Sequence, residues 1–304
     1  DMQPKSSQTF RVERFEENPI IYPDMPGLEG ELGNNINGPS LIRAPEWLEK
    51  PLGRYYLYFA HHGGKYIRLA CADRLEGPWR IHGPGVLNVE DGPGRGHIAS
   101  PDVHVDDELK RIRMYFHQPM PEMGQMSFVA LSGDGLNFDV WDEVLGLFYM
   151  RMFQHGGWHY GVAKDTNVDG LAYRSQDGLT GFEEGPHFLS GFRHAATWVD
   201  GDLLYLFYSL AGDEPERILL STIDLKAKWP DWEPSTPEVI LEPELAWEGG
   251  ELPLEPSRYG AAKGAVRQLR DPGIYEEDGQ LYLLYSVAGE QGIAIARLER
   301  VMDC

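Results

Sequence analysis

The chain has 304 residues, a net charge of −21 and a pI near 4.8. That acidic surplus excludes the clustered Lys and Arg that nucleic acid phosphates require and speaks against anionic membrane surfaces, and no apolar stretch approaches the ~18 residues of a membrane span. Two cysteines, Cys71 and Cys304, offer no disulfide framework and leave the compartment open, while 35 glycines, 22 prolines and 12% aromatics suit a soluble all-β domain with many tight turns.

Residues 1–9 are polar and read as a loose segment; residues 10–304 read as one domain. Phe10–Tyr22 alternates like a strand and precedes a phrase that then recurs along the chain. In that phrase an apolar run ends in a tight turn and is followed by a run rich in Tyr, Leu and Phe. Copies lie at Pro39–His61, Pro101–His117, Ala196–Ser209 and Pro272–Ser286, with a less regular one at Phe148–Phe182. A third strand follows each of the first four, and three of these end in an Asp and then an aromatic: Asp73 and Trp79, Asp134 and Phe138, Asp224 and Trp232. The irregular copy keeps the same ending in Asp177 and Phe182. Repeats of this length, made of short strands, predict a five-bladed β-propeller. The blades cover roughly 34–88, 97–140, 144–184, 193–241 and 266–301.

The last blade has no fourth strand after Gly292–Leu298, so Phe10–Tyr22 is predicted to close the ring as its outer strand. Glu242–Ala265 is longer than an ordinary connector; it is either a functional loop or a surface excursion.

In a propeller the residues opening each inner strand, and those ending each second strand, share one mouth on the axis. Blade one places Asn35, Asn37 and Gly38 there, followed by His61 and His62. Blade two offers His97 and Ser100, with Asp102 just inside, then His117 and Gln118. Blade three offers Tyr149 and Arg151, blade four Arg193 and His194, and blade five Gln268, Arg270 and Asp271 with Ser286. Polar filling of a wet channel would account for any one of these. Five of the ten histidines on one predicted face ask for more.

The blade phrase with its Asp-to-aromatic ending, together with SPDV at Ser100–Val103 and RDPGIY at Arg270–Tyr275, resembles the five-bladed glycoside hydrolases of families 43, 32, 117 and 130. The resemblance spans nearly the whole chain and implies a carbohydrate-active enzyme. It also implies an Asp base opening the first inner strand and a Glu acid in a later blade. Here those positions hold Asn37–Gly38 and Arg193–His194, so the paired carboxylates of ordinary glycoside hydrolysis are missing.

Histidine can carry the proton instead, as the resemblance to family 117 implies. His194 is the candidate acid, Asp271 or Asp102 the base, and His97 a further catalytic candidate. Arg193 and Arg270 would fork onto an anionic substituent of the sugar. Asn35, Asn37, His61, His62, His117, Arg151 and Tyr259 complete the expected substrate contacts. Three alternatives stand beside this reading. One is β-elimination from a uronate by His, Tyr and Arg. Another is a divalent metal ion at the axis held by three of His61, His62, His97, His117 and His194. The third is a lectin-like propeller without catalysis. The sequence is silent on oligomeric state.

Overall fold

A computed structural model of the chain describes residues 9–166 and 168–301; the expectations placed on residues 1–8 and on Cys304 lie outside them. Twenty strands form five four-stranded antiparallel sheets, and no α-helix occurs among the described residues. Blade one contains β2 (Asn37–Arg43), β3 (Tyr55–Ala60), β4 (Tyr66–Ala72) and β5 (Arg80–Asn88). Blade two contains β6 (Ala99–Asp106), β7 (Arg111–Met120), β8 (Gly124–Ser132) and β9 (Asp139–Leu147). Blade three runs through β10 (Arg151–His155), β11 (Trp158–Asp165), β12 (Asp169–Ser175) and β13 (Glu183–Phe188). Blade four follows with β14 (Phe192–Asp200), β15 (Leu203–Leu210), β16 (Ile218–Asp224) and β17 (Glu238–Leu241).

Blade five joins the two ends of the chain: β18 (Arg270–Glu277), β19 (Gln280–Ser286) and β20 (Ile293–Arg300), with β1 (Phe10–Arg14) outermost. β1 pairs with β20 in the register Phe10↔Arg300 to Arg14↔Ala296, and Ile21 bridges Ile293 further along. The expected closure is the one observed. Phe10 is fully buried and packs on Tyr205 and Phe207 of the neighbouring blade, at 5.9 Å between ring centroids in each case. Phe10→Ala should therefore cost about 3–5 kcal/mol in urea unfolding. Deleting residues 1–14 should leave β20 as a free edge and produce self-association by size exclusion. A monomeric, equally stable deletion variant would contradict the closure.

The apolar runs are continuous because second strands are buried on both faces. Along β3, Tyr55, Leu57 and Phe59 pack toward blade five, whereas Tyr56 and Tyr58 pack toward blade two. One such core fills each of the five interfaces between blades. The Asp-to-aromatic ending is a turn device. Asp134 accepts the backbone N–H groups of Leu136 and Asn137, and Asp177 those of Leu179 and Thr180. Trp79, Phe138 and Trp232 then bury their rings between blades.

One boundary differs from the expected one. The stretch from Val144 to Leu147 is the end of β9, paired across β8, so blade three opens only at Arg151. Alternation alone does not tell an outer strand from the inner strand of the next blade.

Candidate functional site

Four inner strands begin with a β-bulge at the same end of the ring. Gly38 and Pro39 lie opposite Phe59, Ser100 and Pro101 opposite Phe116, Arg193 and His194 opposite Ser209, and Asp271 and Pro272 opposite Tyr285. Gly38, Ser100 and Asp271 take positive φ values of 65°, 57° and 47° at these bulges, and Tyr149, just before β10, takes 62°. A bulge re-aims the side chains beside it, here toward the axis.

The result is a cavity of about 80 Å³ lined by Asn37, His62, His97, His117, Gln125, Phe148, Tyr149, Lys164, Arg193, His194 and Gly260. His97 and His194 therefore share one pocket, as strand polarity predicts. The His62 side chain is 34% exposed and marks the way in. Edge-on and tilted rings form the wall: His97 and His117 lie 5.6 Å apart, His117 and Tyr149 5.0 Å, and Tyr149 and His194 4.7 Å.

His194 forms the floor. Its Nδ1 lies 3.3 Å from Asp271 Oδ1, and both side chains are almost completely buried. Burial first, and then the charges of Arg193, Lys164 and Arg270, hold the imidazole well below its ordinary range, so it is neutral at pH 7. Burial, and then Glu290, push the Asp271 carboxyl up to about 6, with Arg270, Arg193 and Arg151 opposing. His194 Nδ1 and Asp271 Oδ1 are both buried without a hydrogen-bond partner, so the two groups meet in a contact at ion-pair distance rather than a formed hydrogen bond. Ser286 donates to the other Asp271 oxygen at 3.2 Å. Histidines 97 and 117 are likewise lowered, in both cases mainly by burial.

Beneath the pocket lies an ion network that the residue pattern did not disclose. Glu216, on the turn between β15 and β16, is fully buried and sits 3.3 Å from both Arg193 Nε and Arg270 Nε; Ser209 donates to it at 2.7 Å. Glu290, on the turn between β19 and β20, accepts from Asn35 at 2.8 Å and from the Ala262 N–H at 3.0 Å, and lies 3.0 Å from His62 Nδ1. Burial alone would raise the Glu290 carboxyl, but His62, Arg270 and Asn35 hold it below its ordinary range.

The long connector reaches this site. The carbonyls of Arg258 and Gly260 accept from Arg193, and Gly260 also accepts from Arg270. Tyr259 lies with its ring centroid 4.6 Å from Lys164 Nζ. Glu242–Ala265 is thus no remote surface excursion: part of it lines the pocket.

Several expected site residues are placed elsewhere. Asp102 does not line the pocket. It accepts the Met152 N–H and pairs with His104, each at 2.8 Å, in a separate axial cavity of about 220 Å³. The bulge at Ser100–Pro101 turns it down the channel. His61 lies outside the ring mouth and meets Asn34 at 2.8 Å. Asn35, Arg270 and Asp271 are buried and do not line the pocket; they contact Asn37, Gln268 and His194 respectively. Arg151 is buried and donates to the carbonyls of Ala195 and Ser100. The guanidinium of Arg270 is likewise committed to Gln268 and Gly260 rather than open to a ligand. For a metal ion, no group of three or more His, Cys, Asp or Glu side chains converges among the described residues. The donor set does not fit one.

Lys164, like Gln125 and Phe148, is a lining residue that sequence reading missed. It ends the apolar run of β11 as VAKD, where a lysine reads as a strand end turned to water. Burial first, and then Arg193, lower its amine to about 7, with Glu216 and Asp271 opposing.

The five-bladed propeller fold is similar to that of solved family-43 glycoside hydrolases. A thermostable family-43 glycoside hydrolase superposes with a TM-score of 0.61 at 15% identity, covering 89% of this chain and 90% of that one. The α-L-arabinanase of Cellvibrio cellulosa, complexed with arabinohexaose, gives 0.60 at 13% identity over 87% and 92%. A family-43 enzyme from Xanthomonas citri gives 0.57 at 13% over 89% and 88%. At these identities the likeness is one of fold. No family model matches the sequence. Among curated proteins, uncharacterized protein R118 of Acanthamoeba polyphaga mimivirus is 35% identical over 335 aligned positions, which span 98% of this chain and 93% of that protein. The chain belongs to the family of that mimivirus protein.

Proposed function

We propose that this propeller is a carbohydrate-active enzyme of the glycoside hydrolase type, acting on an anionic or otherwise modified sugar through His194 and Asp271. The observation that carries the reading is the buried contact of 3.3 Å between His194 Nδ1 and Asp271 Oδ1 on the floor of the axial pocket. A small shift that closes this contact into a hydrogen bond would hold the proton on Nδ1 and leave Nε2 as a general base, so His194 fits proton removal better than the proton donation assigned to it from sequence. Tyr149 packs against the same ring and keeps its phenolic proton far above neutral pH, mainly through burial, which makes it the adjoining donor. Arg193 is the one of the three arginines that lines the pocket; Arg270 and Arg151 behind it are bound to Gln268, Gly260 and backbone carbonyls, and Glu216 lies against both Arg193 and Arg270. Arg193 is therefore the group that would meet a carboxylated or sulfated substituent.

A second reading, β-elimination from a uronate, is favoured by one specific observation: among the described residues no Asp or Glu lines the pocket. Hydrolysis by two carboxylates has no pair to use there, whereas a His base beside a Tyr donor suits removal of a proton from carbon. Incubation with uronate-bearing and sulfated oligosaccharides tests both readings. New reducing ends without ultraviolet absorbance indicate hydrolysis, and an absorbing double bond in the product indicates elimination. Cleavage of none of them overturns the proposal.

The reading also fixes a pH dependence. Turnover should rise with pH through about 6 as Asp271 ionises, and Asp271→Asn should remove that limb. Stability should run the other way. A carboxyl whose folded pKa is raised contributes stability that is full below its ordinary range near 4 and lost as pH climbs through about 6. Rate and melting temperature measured across pH 4–8 check both signs.

A further inference from the structure

We propose that Lys164 is a covalent amine site, whose Nζ condenses with the carbonyl carbon of a small aldehyde or ketone, the open-chain form of a reducing sugar included. Lys164 is 3% exposed, yet lines the axial pocket. Its own N–H is held by the Phe148 carbonyl at 2.9 Å, which fixes the backbone at the pocket wall. The rings of Phe148, Tyr149 and Tyr259 surround Nζ at 5.1, 5.8 and 4.6 Å from their centroids. Among the described residues no carboxylate lies within ion-pair distance of that amine and no acceptor takes a hydrogen bond from it, although Glu216, Asp271 and Glu290 are all used by Arg193, His194, Arg270 and their neighbours. A buried lysine with a purely structural task is expected to be paired. An amine in an apolar cage beside another cation is instead arranged as a nucleophile.

The step balances without an oxidant or reductant. The Nζ lone pair attacks the carbonyl carbon and the C=O π pair moves to oxygen. His194, a neutral imidazole in the same pocket, accepts the first of the two amine protons and passes it to that oxygen to give a neutral carbinolamine, then carries the second nitrogen proton to the departing hydroxyl. Water leaves, and an imine remains. The cavity of about 80 Å³ is small beside the roughly 300–1,000 Å³ of ordinary ligand pockets, which suits a small carbonyl terminus.

The test is reductive trapping. The full chain is incubated at pH 7 with glycolaldehyde, and separately with pyruvate, in the presence of cyanoborohydride, and adducts are located by peptide mass spectrometry. Lys164 should be modified at least about 10-fold more than exposed lysines such as Lys50 and Lys110. Lys164→Arg, which keeps the charge, should lose the adduct with its melting temperature preserved. If that variant does not fold, competition in the unmodified chain serves: prior carbamylation by cyanate should protect Lys164 from the aldehyde. Labelling spread evenly over surface lysines overturns the proposal. So does an unlabelled Lys164 whose only response is stabilisation by acetate or sulfate, which would make it an anion contact. The readout is a covalent mass, independent of glycoside cleavage, so this inference and the sugar-cleaving function can fail separately.

Discussion

His194→Ala should lower turnover by roughly 100-fold or more while leaving a folded propeller, the usual contribution of a positioned acid–base group. The imidazole sits on the pocket floor with Asp271 behind it and Tyr149 against its face, so its loss removes the acceptor and opens space rather than breaking a blade. The alternative is a purely architectural imidazole that fills the axis. In that case the variant loses thermal stability and keeps its activity per folded molecule. Melting temperature and turnover measured on the same samples separate the two. His194→Gln provides a second comparison, since it keeps a polar group in the same space without the ring's basicity. Unchanged turnover in well-folded His194→Ala removes this residue from the chemistry.

Glu216→Ala should be strongly destabilising. This carboxylate has no exposed surface and lies between the guanidinium groups of Arg193 and Arg270. Truncating it leaves two buried cations facing each other, a class of change that costs about 3–5 kcal/mol. Urea unfolding measures the loss. Because those two arginines also hold the carbonyls of Arg258 and Gly260, the connector should loosen with them. Faster amide exchange at residues 258–262 than in the blade strands would report it. A variant as stable as the parent would show that the network is dispensable.

The fold was legible because propeller blades repeat, and repetition exposes strand order even where single strands are ambiguous. Phe10–Tyr22 could be read as the closing strand from its alternation and from the missing fourth strand after Gly292–Leu298. The pocket was legible in part. Strand polarity alone brought Asn37, His62, His97, His117, Arg193 and His194 to one mouth. It failed at Asp102, where the bulge at Ser100–Pro101 changes which way the following residue points, and side chains on a strand alternate with a period of two. Glu216 and Glu290 sit on tight turns, in DEPER and AGEQG, where an acidic residue reads as a solvated loop tip. Nothing local marks them as buried; the ring geometry folds those turns inward over the arginines. Lys164 lies in the least regular blade, whose inner strand β10 is only five residues long, so no alignment of blades carried it to the mouth.

The connector that crosses the mouth has a kinetic consequence. Residues 258–262 are tied down by Arg193, by Arg270 and by the Glu290 carboxylate that receives the Ala262 N–H, and Gly260 among them lines the chamber. On the proposed function, a sugar ring would reach His194 past this tethered segment, and any loosening it requires would limit how fast the chamber is refilled. Selectivity on such a protein is exercised partly at the door, so exchanging the Ser257–Lys263 segment would alter which molecules enter without disturbing a single blade.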